Sequence, residues 1–175
     1  IRPNIEALLN TGADYIQIDE PAAGAHPREA DIVVESFNES VAGLEGQAKF
    51  SIHICFSDYG KMFPVIDGIK ADQLAWEFAN RDDEQRSGYK ILERIATMPG
   101  RPEVGLGVLN VHVNDIETPE YVKDRVLHAA RVLGPERVYV NPDCGLRSRT
   151  WHVAYAKLKN MVEGAAMARA EIERG

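Results

Sequence analysis

Short apolar runs rich in β-branched and aromatic residues recur along the chain, each followed by a polar turn and then by a stretch with helical spacing. The runs at Asp14–Asp19 (DYIQID), Lys49–Ile54 (KFSIHI), Gln73–Glu77 (QLAWE), Glu103–Leu109 (EVGLGVL) and Arg137–Asn141 (RVYVN) read as strands. Helical patterns fill the gaps, and each unit takes roughly 30 residues, the length of a βα repeat. The opening segment sets Ile5, Leu8 and Leu9 at helical spacing and closes at Gly12. The clearest helix starts with Thr118 as N-cap and Pro119 at the first helical position. It places Val122, Val126, Ala129, Ala130 and Leu133 on one face and stops at Gly134-Pro135. A last helix, from about Thr150 to Glu171, carries Ala154, Leu158, Met161, Val162 and Ala165 on a similar stripe.

Five consecutive βα units are too many for a small domain and too few for a closed eight-stranded barrel, which takes about 250 residues. A doubly wound open sheet needs only five strands, but the first βα turn, IDEPAAG, lacks a glycine-rich phosphate fingerprint. The expected fold is therefore α/β: the C-terminal five βα units of a (β/α)8 TIM barrel, with its N-terminal strands missing. Residues 1–175 are expected to form one catalytic barrel domain, incomplete at its N-terminus. A start at Ile1, without an initiator Met, fits a partial chain.

Composition narrows the classes. At 175 residues and 45% apolar content the chain can bury a sizeable core. Charges interrupt every apolar run, so no membrane span is expected. The net charge is −7, with Lys and Arg scattered among Asp and Glu, which argues against a nucleic-acid partner. No signal-peptide pattern stands at the N-terminus, and the two cysteines lie far apart, so a reducing compartment, the cytoplasm, is expected.

Residues capable of chemistry gather at the C-terminal ends of the strands, the catalytic face of a parallel barrel. Asp19 and Glu20 end the first strand, His53 and Cys55 the second and Glu77 the third; His112 follows the fourth and Cys144 the fifth. His53 and Cys55 are two apart on a strand, so both side chains point to one side. With Cys144 and Glu77 they make a set of one His, two Cys and one Glu, and two thiolates favour zinc. Each residue also has a plain structural reading. A buried Cys is usually a small hydrophobe, Glu77 has Arg81 nearby as an ionic partner, Cys144 can pack a turn, and His112 can serve a hydrogen bond. Ser57 reads as a turn residue just past the H-x-C pair, and His26, His128 and His152 carry no role.

The strings YIQIDEPA, HIC, LGVLNVH, VYVNPDCGLRSRTW and LKNMVEGA, in order from about Gly12 to Ala166, resemble successive blocks of the catalytic barrel of cobalamin-independent methionine synthase. The resemblance implies a zinc-dependent methyltransferase that moves a methyl group from a methyltetrahydrofolate-type donor to the homocysteine thiolate. It implies Zn2+ held by His53, Cys55, Glu77 and Cys144. Asp19, with Glu20 beside it, would bind the amino-acid part of homocysteine, and His112 would donate a proton. The chain departs from the family in having Asn110 where an Asp usually precedes the His, Val113 where a small polar residue follows it, and WEFANR around Glu77. A related zinc-dependent thiol alkyltransferase, acting on coenzyme M or drawing on a corrinoid protein, would keep the same ligand set. A structural zinc site and a metal-free barrel remain the readings from other classes.

Overall fold

The structure, a computed structural model, describes residues 1–55 and 58–175, so Ser57 lies outside the described residues. Strands β1 (Tyr15–Asp19), β2 (Lys49–Ile54), β3 (Gln73–Trp76), β4 (Glu103–Gly107) and β5 (Val138–Asn141) form one sheet in sequence order. β1 pairs with β2 in parallel, and β4 with β5. This is the α/β architecture the periodicity predicts, with strand ends trimmed by one or two residues. Glu77 and Leu109 accordingly stand just beyond their strands. The chain forms two compact units, Ile1–Ala75 with Met98–Pro102, and Trp76–Thr97 with Glu103–Gly175. Among the described residues no helix is long and apolar enough to cross a membrane.

In the first unit, helix α1 (Arg2–Asn10) buries Ile5, while Leu8 stays exposed. Thr11 donates its hydroxyl to the Leu8 carbonyl, and Gly12, at φ +87°, turns the chain out of the helix in the left-handed region open to glycine. Helix α2 (Ala30–Val41) buries Ala30, Val34, Phe37 and Val41, a single face at helical spacing. In β2 the consecutive residues Phe50, Ser51 and Ile52 are all buried, so both faces of the strand are covered, as in a parallel sheet. One expectation fails here. No α-helix fills the interval between β2 and β3; its described residues form two short 3-10 turns, Tyr59–Met62 and Val65–Gly68. Gly60, Pro64 and Gly68, each four residues apart, interrupt any α-helical run across this segment.

In the second unit, Val104 and Leu106 of β4 are fully buried. Helix α3 (Ile91–Ala96) is short, and helix α4 (Pro119–Leu133) matches its sequence pattern closely. The Thr118 hydroxyl oxygen accepts from the Tyr121 N–H at 3.2 Å, and Val122, Val126, Ala129, Ala130 and Leu133 are buried together with Leu127. Helix α5 (Trp151–Ile172) has the expected extent but a different buried face. Lys157, Gly164 and Ala168 are buried, whereas Leu158 is 38% and Val162 65% exposed. At about 100° per residue, the buried face lies roughly a quarter turn from the apolar stripe. The cause is close approach: a Cβ on Gly164 would come within 2.5 Å of the Pro119 carbonyl oxygen and 2.6 Å of the Val122 Cβ. The smallest side chains, rather than the most apolar, decide which face α5 turns to α4.

Gly164→Ala is therefore expected to lower the unfolding free energy by about 1–3 kcal/mol, the usual cost of overpacking. Helix propensity alone would favour Ala by about 1 kcal/mol. Urea denaturation of the two proteins gives the sign, and a more stable Ala variant would contradict the packing account.

Candidate metal centre

Strand alternation starts the site. On β2 the residues Phe50, Ile52 and Ile54 face one way and Ser51 and His53 the other, and Cys55 continues the second set beyond the strand end. The His53 Nδ1 lies 2.8 Å from the Ala75 carbonyl oxygen. A carbonyl only accepts, so Nδ1 donates here, and in the neutral ring Nε2 is the nitrogen that keeps a lone pair. That Nε2 is buried and has no hydrogen-bond partner among the described residues. A buried acceptor without a donor is costly in a finished core and suits a metal-ligating histidine, whose other nitrogen is usually held by a carbonyl or carboxylate.

Cys55 and Cys144 are both half-buried thiols outside any disulfide. The ligand atoms of His53, Cys55 and Cys144 lie within 4.8 Å of one another. Tetrahedral zinc holds N and S ligands at about 2.0–2.3 Å, which sets them about 3.3–3.8 Å apart. One imidazole nitrogen and two sulfurs within 4.8 Å of one another suit a zinc ion in chemistry and come near its ligand spacing.

Glu77 stands outside that group of three. It follows β3 directly and is only 2% exposed. Its Oε2 accepts from the Asn80 Nδ2 at 2.6 Å, and its Oε1 lies 3.8 Å from the His112 Nε2. Glu77 therefore meets Asn80 and His112, where the sequence pointed to Arg81. His112 sits in the loop after β4 with its side chain 36% exposed. Its backbone N–H donates to the Asn110 Oδ1 at 2.9 Å, so Asn110 shapes the turn that presents His112.

Asp19 pairs in register with His53 across the β1–β2 ladder and is exposed, its Oδ1 accepting from the Gln17 Nε2 at 2.9 Å. The Glu20 N–H donates to the His53 carbonyl, while its Oε1 accepts from the backbone N–H groups of Ala22 and Ala23 at 2.7 and 3.0 Å. Glu20 thus braces the turn that follows Asp19.

Sequence reasoning overlooked Asp143, which is fully buried beside Cys144 in the NPDCGL turn. Its Oδ1 accepts from the Phe78 and Ala79 N–H groups, each at 3.0 Å, and its Oδ2 accepts from Asn80 N–H at 2.7 Å. Burial pushes the carboxyl up to about 7, helped by the Glu77 charge and opposed by the three N–H donors. Gly107 makes room for this arrangement, because a Cβ there would fall 2.7 Å from the Trp76 carbonyl oxygen and closer still to Asp143. An Asp preceding a candidate thiolate in a tight turn was the available signal.

Comparison with known proteins places this geometry in context. Residues 1–167 match the family described as cobalamin-independent synthase, catalytic domain. The methionine synthase of Thermococcus kodakarensis is 38% identical over 174 residues, covering 99% of this chain and 49% of the relative. That of Thermoplasma acidophilum is 40% identical over 160 residues, covering 84% and 46%. A solved B12-independent methionine synthase from Shewanella, in complex with selenomethionine, superposes with a TM-score of 0.84 at 21% identity. It covers 99% of this chain and 54% of the solved one. The chain thus spans about half the length of the curated relatives it matches.

Asp143→Ala removes the acceptor for three backbone N–H groups at once, two of them in buried hydrogen bonds. With about 1–3 kcal/mol for each buried donor left without a partner, the unfolding free energy is expected to fall by at least about 2 kcal/mol. Denaturant titration of the metal-free protein reads this, and an unchanged midpoint would refute the bracing role.

Proposed function

We propose, from the premise that the chain belongs to the cobalamin-independent synthase catalytic family, that it supplies the zinc-binding, thiol-activating part of a methyltransferase that converts homocysteine to methionine. The convergence of His53, Cys55 and Cys144 carries this reading. These three residues would hold the ion, with Glu77 as the fourth candidate ligand at the neighbouring strand end. When bound, zinc takes the place of the thiol proton, so that the substrate sulfur is available as a nucleophile near neutral pH.

The remaining steps belong to side chains of this chain. The His53 Nδ1–H to Ala75 bond fixes the ring so that Nε2 faces the ligand side. Asp19, an exposed carboxylate level with His53 in the strand register, is suited to the substrate ammonium group, with Glu20 bracing its turn. In the reaction the homocysteine sulfur bonds to the methyl carbon as the carbon–nitrogen bond of a methyltetrahydrofolate-type donor breaks. His112 delivers a proton to the departing nitrogen. The Glu77 carboxylate lies beside that imidazole, 3.8 Å from its Nε2. Two thiols that must remain reduced to serve as ligands suit the cytoplasm. We read the five strands as part of an eight-stranded barrel, supported by their order in one sheet and by the half-length match to the relatives.

Cys144→Ser is expected to lose stoichiometric zinc and methyl transfer together, as measured by metal analysis after dialysis and by product assay. Retention of zinc at the parental level would contradict the ligand assignment. The 175-residue chain alone is expected to hold zinc yet transfer methyl at least about 10²-fold more slowly than a chain of the relatives' full length, for want of substrate positioning. The assay with homocysteine and, in parallel, with coenzyme M identifies the acceptor. Comparable turnover by the short chain would reject the barrel reading.

A further inference from the structure

Lys157 lies on α5 and is fully buried. A lysine ammonium out of water is tolerated only where its protons meet acceptors, and a well-packed apolar residue would normally serve a helix interface as well or better. Here the Nζ donates to the Asn110 carbonyl at 3.0 Å, to the Asp115 carbonyl, and to the Glu117 carboxylate at 2.8 Å. All three acceptors belong to one segment, residues 110–117 between β4 and α4, and that segment carries His112.

The bonds continue to His112 itself. Glu117 also accepts the Asn110 N–H at 2.8 Å, so Asn110 is held at both its amide and its carbonyl. The Asn110 Oδ1 in turn receives the His112 N–H at 2.9 Å. From the turn after β5, the Arg149 Nη1 donates to the Asn114 Oδ1 at 2.9 Å and to the His112 carbonyl at 3.4 Å. Residues 112–116 are exposed and belong to no helix or strand, so apolar packing contributes little to their order. The conformation of the segment rests on this polar network, with the buried ammonium at its centre.

We propose that Lys157 is a positioning residue that holds the 110–117 loop in the conformation presenting the His112 imidazole to the reacting groups. The proposal rests on the reading of His112 as the proton donor. It makes the charge pair Lys157–Glu117 a determinant of turnover without contact to substrate or metal.

The test uses the full-length, zinc-loaded protein with homocysteine and a methyltetrahydrofolate-type donor. In the Lys157→Met/Glu117→Gln double variant both buried charges disappear together, which keeps the fold viable. Its kcat is expected to fall at least about 10-fold, with the homocysteine KM within about twofold, because misplacement acts on the chemical step. Zinc per chain stays at the parental value, and amide exchange quickens in residues 110–117 but not in β4. In a His112→Gln background the same double variant causes no further loss, as expected of a residue acting through His112. Asn110→Ala, which cuts the link to His112 while leaving the Lys157 acceptors intact, lowers kcat in the same manner and guards against a folding defect in the first variant. Unchanged kcat, an equal loss in both His112 backgrounds, or unaltered exchange in the loop would overturn the proposal. Failure of the parent protein to transfer methyl would instead overturn the reading of the site, and the proposal with it.

Discussion

One buried carboxylate organises the chemistry of the second unit. Asp143 gathers three consecutive backbone N–H groups, from Phe78 to Asn80, onto its two oxygens. That fixes the turn directly after Glu77 against the turn that holds Cys144. Such a clamp works only at close range, and the absent side chain of Gly107 permits the range. Asn80, oriented by the clamp, then donates to Glu77, whose other oxygen faces His112. Glu77 and Cys144 are thus positioned by one residue that would itself touch neither substrate nor metal.

The legible parts of the sequence were those in which a single physical effect dominates. β-Branched and aromatic runs located all five strands, because such side chains fit a pleated strand whether one face of it is covered or both. Thr118-Pro119 and Gly134-Pro135 marked both ends of α4, because caps are local chemistry. Where two effects compete, the pattern misled. In α5 the apolar stripe of Leu158 and Val162 suggested the packed face, yet contact with α4 demanded small residues, and Gly164 and Ala168 provide them. Lys157 sits on that same face, because a buried ammonium with three acceptors is compatible with a core position that hydropathy alone would deny it. The interval after β2 reads as helix only if Gly60, Pro64 and Gly68 are given less weight than the apolar residues between them.

At the candidate metal centre the sequence made His53 and Cys55 neighbours by strand alternation, a statement about the backbone that holds for any such strand end. Cys144 joined them because it follows the last strand, on the face where a parallel sheet gathers its strand ends, and the resemblance then implied that it is a ligand. Asp143 was missed because its task is directed at backbone N–H groups, which leave no mark in the side-chain pattern. Asn110, a departure from the family, has a structural use here: as an amide it accepts the His112 N–H while remaining uncharged beside the Lys157–Glu117 pair.

The hydrogen bond from His53 to the Ala75 carbonyl also chooses between the two nitrogens of the ring. With Nδ1 donating there, a neutral imidazole has only Nε2 left to offer as a ligand atom. The choice is made by main chain on β3, so a change of side chain at position 75 would leave the acceptor in place.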